Sequence, residues 1–322
     1  MKAFYWQLKR EFWEHRGGLL WTPLIVAGVF LALNIVGLIS VEWLHQGSIQ
    51  INGVHLNAMS KQDSVTASPY IDILWYLAIG APALLLSIVM GIVVFVYSLG
   101  TLYNDRRDRS ILFWKSLPLS DTSTVLAKLV TALITAPVIS LAVGAVSGVM
   151  MVFLAAMVMS FEGLPTWHLL STSHPFQAVF YLLALLPVYS LWALPTVGWL
   201  LMCSAFSRSR PFVLAVVAPI GITLMLGWFK LIHVINIPFA SICKTLLLRL
   251  LTGVFPGGWV TREQLLKAHR IPGDLNLPLP PKPFDLGLHY AAFGRMDLWL
   301  GVLAGAIFVA IAIWCRRWRD EA

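Results

Sequence analysis

Charge is what this chain has least of. Only 12% of its 322 residues are Asp, Glu, Lys or Arg. No Asp, Glu, Lys, Arg or His falls in the central part of any long apolar stretch. Proton relays and ion-coupled sites need such groups at membrane depth, so a self-powered carrier or redox pump is disfavoured. A His-Glu-x-x-His pair is missing and the eight histidines are scattered, which leaves metal or haem chemistry without an anchor, and no metal site is assigned. The chain also lacks a Gly-x-x-x-x-Gly-Lys-Ser/Thr loop, so it has no motif for binding ATP. Its three cysteines, Cys203, Cys243 and Cys315, lie far apart and imply neither a disulfide framework nor a metal cluster. The opening segment MKAFYWQLKREFWEHR has no small-residue cleavage site and is expected to stay in the mature chain.

What is present is hydrocarbon. Hydrophobic residues make up 58% of the chain, and the mean hydropathy is +0.79. Crossing a bilayer core of about 30 Å takes about 20 apolar residues in a helix. Six stretches qualify, at approximately 19–41, 73–103, 125–160, 177–206, 211–229 and 297–315. The fold class is therefore all-α, a polytopic membrane protein with six transmembrane helices in a single transmembrane domain over 1–322. The second and third stretches are longer than needed and must tilt, kink or protrude, with Pro82 and Pro137 as kink points.

The net charge of +8 sits at the ends of these stretches and forms no continuous stripe, so nucleic acid is not the partner. Lys and Arg crowd the N-terminal segment, the second and fourth connections and the tail, whereas the first and third connections together hold only Lys61. This bias places both termini and residues 104–120 in the cytoplasm. The connection over 230–296 then faces outward. Its first part is apolar but interrupted by Lys244 and Arg249, and reads as an extended or re-entrant region. A capping box at Thr261 and Gln264 and a proline-rich loop follow.

Residues 1–18 read as an interfacial amphipathic helix, with Phe4, Tyr5, Leu8 and Phe12 on the inner leaflet among membrane lipids. Gly144 with Gly148, and Gly301 with Gly305, form two Gly-x-x-x-Gly pairs that allow close helix packing. Ser147, in AVSGVM, lacks the preceding glycine of an intramembrane serine protease motif and reads as a packing residue. Asn34 is expected to hydrogen-bond between helices.

The cytoplasmic run LYNDRRDRSILFWKSLPLS joins five charges, Asp105, Arg106, Arg107, Asp108 and Arg109, to an apolar cluster that includes Leu112, Phe113 and Trp114. Aromatics beside Arg and Asp have the composition of an interface core with a polar rim. The alternative is that Phe113 and Trp114 dip into the leaflet.

Extended to YNDRRDRSILFWKSLPLSDTSTVLAKLV, this run resembles the connection between the second and third spans of ATP-binding-cassette transporter permeases of the type-2 exporter class. The matches are the acidic-basic pair Asp108 and Arg109, the short apolar helix Leu112 to Leu117, the turn at Pro118, and Lys128 one turn into the next span. Asp108 stands where Glu is commoner, and the bulky SILFW replaces Gly-Thr. The resemblance implies that 105–117 is a coupling helix seated in a cytoplasmic ATPase subunit, with Asp105, Arg106, Asp108, Arg109, Leu112, Phe113, Trp114 and Leu117 at the contact. It implies a working unit of two permeases, here a homodimer, and two ATPases, with ATP and Mg on the ATPase and no cofactor on this chain. It also implies a bacterial plasma membrane and export of an amphiphilic or hydrophobic substrate such as a lipid, peptide or drug-like compound. A competing expectation is a non-transporting scaffold or sensor that binds an extracytoplasmic partner through 230–296.

Overall fold

Uncharged runs of Leu, Val, Ile and Ala become helices in hydrocarbon because every backbone N–H and C=O must find its partner within the segment. The computed structural model describes residues 2–44, 50–51, 54–55, 61–108, 120–161, 170, 176–232, 244–260 and 286–319. Its helices are α1 (Lys2–Glu14), α2 (Thr22–Leu44), α3 (Lys61–Arg107), α4 (Asp121–Val130), α5 (Ala136–Phe161), α6 (Gln177–Ala184), α7 (Leu186–Phe206), α8 (Ala218–Leu231), α9 (Leu250–Thr252), α10 (Leu286–Tyr290) and α11 (Met296–Arg319). Two two-residue strands, Gln50–Ile51 and Val54–His55, pair antiparallel.

Among the described residues, six helical stretches are long and apolar enough to cross a membrane: Gly17–Ser40, Trp75–Arg107, Asp121–Val158, Gln177–Phe206, Val213–Leu231 and Met296–Trp318. The chain is an all-α polytopic protein. Helix α3 begins at Lys61, well before its apolar window opens at Trp75, so much of its excess length lies at that end.

Prolines punctuate the spans in a regular way. A proline has no N–H to give, and its ring collides with the carbonyl four residues earlier. The π-helical turn Gly17–Trp21 ends two residues before Pro23, Thr131–Thr135 two before Pro137, and Val213–Val217 two before Pro219. The wider turn moves the carbonyls off the proline ring: Thr22 N–H bonds to Gly17 O, and Ala136 N–H to Thr131 O. Carbonyls that the prolines leave without a donor are served from α7. The Ser190 hydroxyl donates to Leu133 O at 2.9 Å, and the Trp199 indole donates to Ala215 O at 3.0 Å.

Small residues set the closest helix contacts. A methyl group on Gly148 would lie 2.7 Å from Ile79 Cα, and one on Gly144 would lie 2.9 Å from Ala83 Cα, so α5 rests directly on the α3 backbone. Helix α11 packs along α7, where a methyl on Gly305 would meet Pro195 N at 2.9 Å. Gly301 faces the Arg249 guanidinium. Both glycine pairs thus make contacts inside one chain. Asn34 corrects the sequence expectation: its amide donates to Phe30 O in its own helix at 2.8 Å. Ser147 is buried and bonds to Val143 O in the same manner.

The centre of the bundle joins Met90, Val94, Val125, Ala193, Val197 and Ala312. Val254 belongs to this core although no spanning helix contains it. The π turn Lys244–Arg249 leads through α9 to a reversal at 253–260, where Gly257 takes φ +84. Gly91, midway along the α3 span, faces Phe255 and the Val254 carbonyl. Irregular backbone can sit at such depth only when protein satisfies it. Here Tyr189 OH donates to Val254 O at 3.0 Å and Thr196 Oγ1 to Arg249 O at 2.9 Å. Arg249 lies over the Trp192 ring at 4.5 Å and donates to the carbonyls of Asp297 and Leu298. Thr261, Gln264 and the proline-rich loop lie outside the described residues.

Candidate functional site

At one end of the bundle, four elements meet on a set of buried charges. Helix α4 starts cleanly there: the Ser120 hydroxyl accepts from Ser123 N at 3.1 Å, and Asp121 adds an acidic group to the first turn. Two turns later, Lys128 enters the interior with 1% of its surface exposed. Its ammonium sits 3.1 Å from Glu11 Oε1 and 3.3 Å from Asp105 Oδ2, and donates to Thr101 Oγ1 at 2.7 Å.

Glu11 is fully buried on α1. Besides Lys128 it accepts from Tyr97 OH at 3.0 Å and pairs with Arg10 at 2.7 Å. Burial by itself raises the Glu11 pKa, but Lys128 and Arg10 outweigh it and hold the carboxyl below its ordinary value. Gln7, one turn away, donates to Thr124 Oγ1 at 3.4 Å and accepts from the Ser123 hydroxyl.

Arg316 of α11 completes the set. Its Nη1 lies 3.2 Å from Asp105 Oδ2 and its Nε lies 3.0 Å from Asp121 Oδ1. Asp105 stands at the end of α3 and Asp121 opens α4, so one guanidinium holds both ends of the connection between them. Beside it, Arg106 donates to Ser204 O at 2.5 Å and Ser207 O at 2.9 Å, closing the carbonyl end of α7.

The residues singled out by sequence fall into three groups. Asp105 and Arg106 bond within the chain, while Asp108 is exposed at the end of α3. Arg109, Leu112, Phe113, Trp114 and Leu117 lie outside the described residues. On α1, Phe4, Leu8 and Phe12 are half-buried, whereas Tyr5 is exposed together with Trp6 and Trp13. The amphipathic reading of α1 missed Gln7 and Glu11, which form its buried stripe at the i, i+4 spacing that brings side chains to one face. Arg316 and Lys2 counted equally as orientation charges in the sequence. Only the three-dimensional placement of Asp105 and Asp121 separates Arg316 from the rest.

Chemically the site is a clasp. Its carboxylates and cations pair with one another. Glu11, Glu14 and His15 are close enough to share an ion, but both Glu11 oxygens are already taken by Lys128, Arg10 and Tyr97. The arrangement ties α1, α3, α4 and α11 together through side chains at one end of the bundle. No family model, curated protein or solved structure matches the chain.

Proposed function

We propose that this chain is the membrane-spanning permease subunit of an ATP-driven exporter of the type-2 class, moving an amphiphilic or hydrophobic substrate and hydrolysing no ATP itself. A cytoplasmic ATPase subunit docks on the connection between α3 and α4, with Phe113 and Trp114 as its apolar anchor and Asp108 and Arg109 at the rim. The working unit contains a second copy of the chain. Both termini and the clasp face the cytoplasm.

The observation that carries this reading is the double hold of Arg316 on Asp105 and Asp121. A connection that merely turned the chain around would need no such anchorage. One that receives force needs its two ends fixed to the helices that must move, and here they are fixed to α1 and α11 at once. The absence of charge from the span interiors supports an external energy source. Val254 and Trp259 are buried against the bundle, which draws part of 244–260 away from a separate outer binding module and disfavours a scaffold that works through 230–296.

The test is purification of the full chain from its native membrane, followed by measurement of Mg–ATP hydrolysis in the purified material. Hydrolysis that copurifies with the wild type and is lost in Phe113→Asp/Trp114→Asp, at unchanged thermal stability of the permease, is the expected result. Copurification that survives this double change refutes the docking assignment, and a preparation without any ATPase refutes the exporter reading.

A further inference from the structure

Away from the clasp, α3, α5 and the α6–α7 pair part around a cavity of about 340 Å³. Its wall runs from Tyr76 to Met90 on α3, with Pro137 to Leu141 on α5 opposite, and Pro256 to Trp259 closing it from above. Native interiors hold few voids larger than a water molecule. A cavity of about 150 Å³ lined by aliphatic side chains already takes up benzene, and this one is more than twice that size.

Three observations define what fits. No Asp, Glu, Lys or Arg lines the cavity among the described residues, so a charged group has no counter-ion there. His289, at the rim, accepts a hydrogen bond at Nδ1 from the Trp259 indole at 2.8 Å. Because an indole only donates, that nitrogen is the acceptor of the pair.

The second observation is Ser140. It is 1% exposed, lines the cavity, and its hydroxyl has no hydrogen-bond partner among the described residues. Ser87 and Ser147 satisfy themselves on their own backbone, on Ala83 O at 2.7 Å and Val143 O at 2.8 Å, and Ser98, the other buried helical serine without a partner among the described residues, does not line the cavity. Ser140 lines it unpartnered, and a buried polar group left alone is costly. The third observation is the mouth. Leu77 and Leu84, two turns apart on α3, line the cavity and are half-exposed, so this wall opens at the flank of a membrane-crossing helix, where the surroundings are hydrocarbon.

We propose that this cavity is a binding site, contained within one chain, for a single neutral lipid-like molecule: a hydrocarbon chain bearing an uncharged hydroxyl or carbonyl that Ser140 engages. It enters from the bilayer past Leu77 and Leu84. Binding needs no ATPase, so the site stands or falls apart from the exporter reading.

The test uses the purified full chain in nanodiscs with two photoactivatable probes, a sixteen-carbon alcohol and the alkane of the same length, at about equal loading. In the wild type, the alcohol labels the peptides holding Tyr76–Met90 and Pro137–Leu141 about two- to tenfold more than the alkane, the worth of one hydrogen bond. Ser140→Ala brings the alcohol down to the level of the alkane, and Ala81→Trp, which fills the cavity from its exposed wall, abolishes labelling by both. Thermal unfolding confirms that each variant is folded. Equal labelling by the two probes in the wild type overturns the role of Ser140. Label spread over the exposed faces of α2 and α8, or label that Ala81→Trp leaves intact, overturns the site. Cross-linking of two copies through Leu77 with no probe label assigns the mouth to a second copy and overturns it as well.

Discussion

Lys128 and Glu11, 117 residues apart in the chain, meet at 3.1 Å in a place neither can leave without stranding the other. A buried ion pair contributes little net stability against an apolar equivalent, but removing one partner leaves a charge with nowhere to go. Lys128→Met is therefore expected to cost about 3–5 kcal/mol. The triple change Glu11→Gln/Asp105→Asn/Lys128→Met is expected to recover most of that loss. Thermal unfolding of the detergent-solubilised protein checks both; a triple variant no better than the single would show that packing, not charge, is at stake.

The clasp also carries a pH signature. Glu11 titrates below its ordinary value of 4.5 in the folded chain, so its ionised form stabilises the docked α1 fully above that value. The contribution is lost as pH falls below 4.5, through the lowered folded value. The protection of α1 amides, taken as the intrinsic exchange rate relative to the observed rate at each pH, should be constant down to about pH 5 and fall below 4.5. Glu11→Gln should remove this acid-dependent step.

Ser190 offers a cleaner experiment because its partner exists only on account of a proline. Ser190→Ala leaves Leu133 O without its donor and is expected to destabilise by about 1–3 kcal/mol. Replacing Pro137 by Ala restores an N–H in reach of that carbonyl. Pro137→Ala should then gain more stability in the Ser190→Ala background than in the wild type, a non-additive result measurable in the same unfolding assay.

At Gly148, the neighbour 2.7 Å from an added methyl is the backbone of Ile79, which cannot swing aside. Gly148→Ala is expected to cost about 1–3 kcal/mol by forcing α3 and α5 apart. Gly28→Ala, where a methyl would meet nothing within 4 Å, is the matched control and should be neutral or slightly stabilising.

Hydropathy located all six spans, because the rule that hydrocarbon admits only internally bonded backbone acts within each segment. The Gly-x-x-x-Gly pairs were visible for the same local reason. The clasp was not, since Glu11, Asp105, Lys128 and Arg316 come from four helices and nothing in their spacing couples them. In helix α1 the apolar pattern shows which residues share a face but does not reveal that Gln7 and Glu11 turn in toward the bundle. The depth reached by 244–260 was hidden by Arg249, whose charge looks incompatible with the interior until Trp192 and two carbonyls are found around it.

The π turn Thr131–Thr135 has a rotational consequence. Each residue of an α-helix advances about 100° around the axis, and a π turn holds one residue more than the α-helical path would use. Lys128 and Gly148 lie on opposite sides of this turn, the first aimed at the clasp and the second at Ile79. Were 131–135 to relax to a plain α-helix with every residue kept, these two faces would swing about 100° out of phase. The turn acts as the phase setting that lets one span grip the charged end of the bundle and the backbone of α3 at the same time.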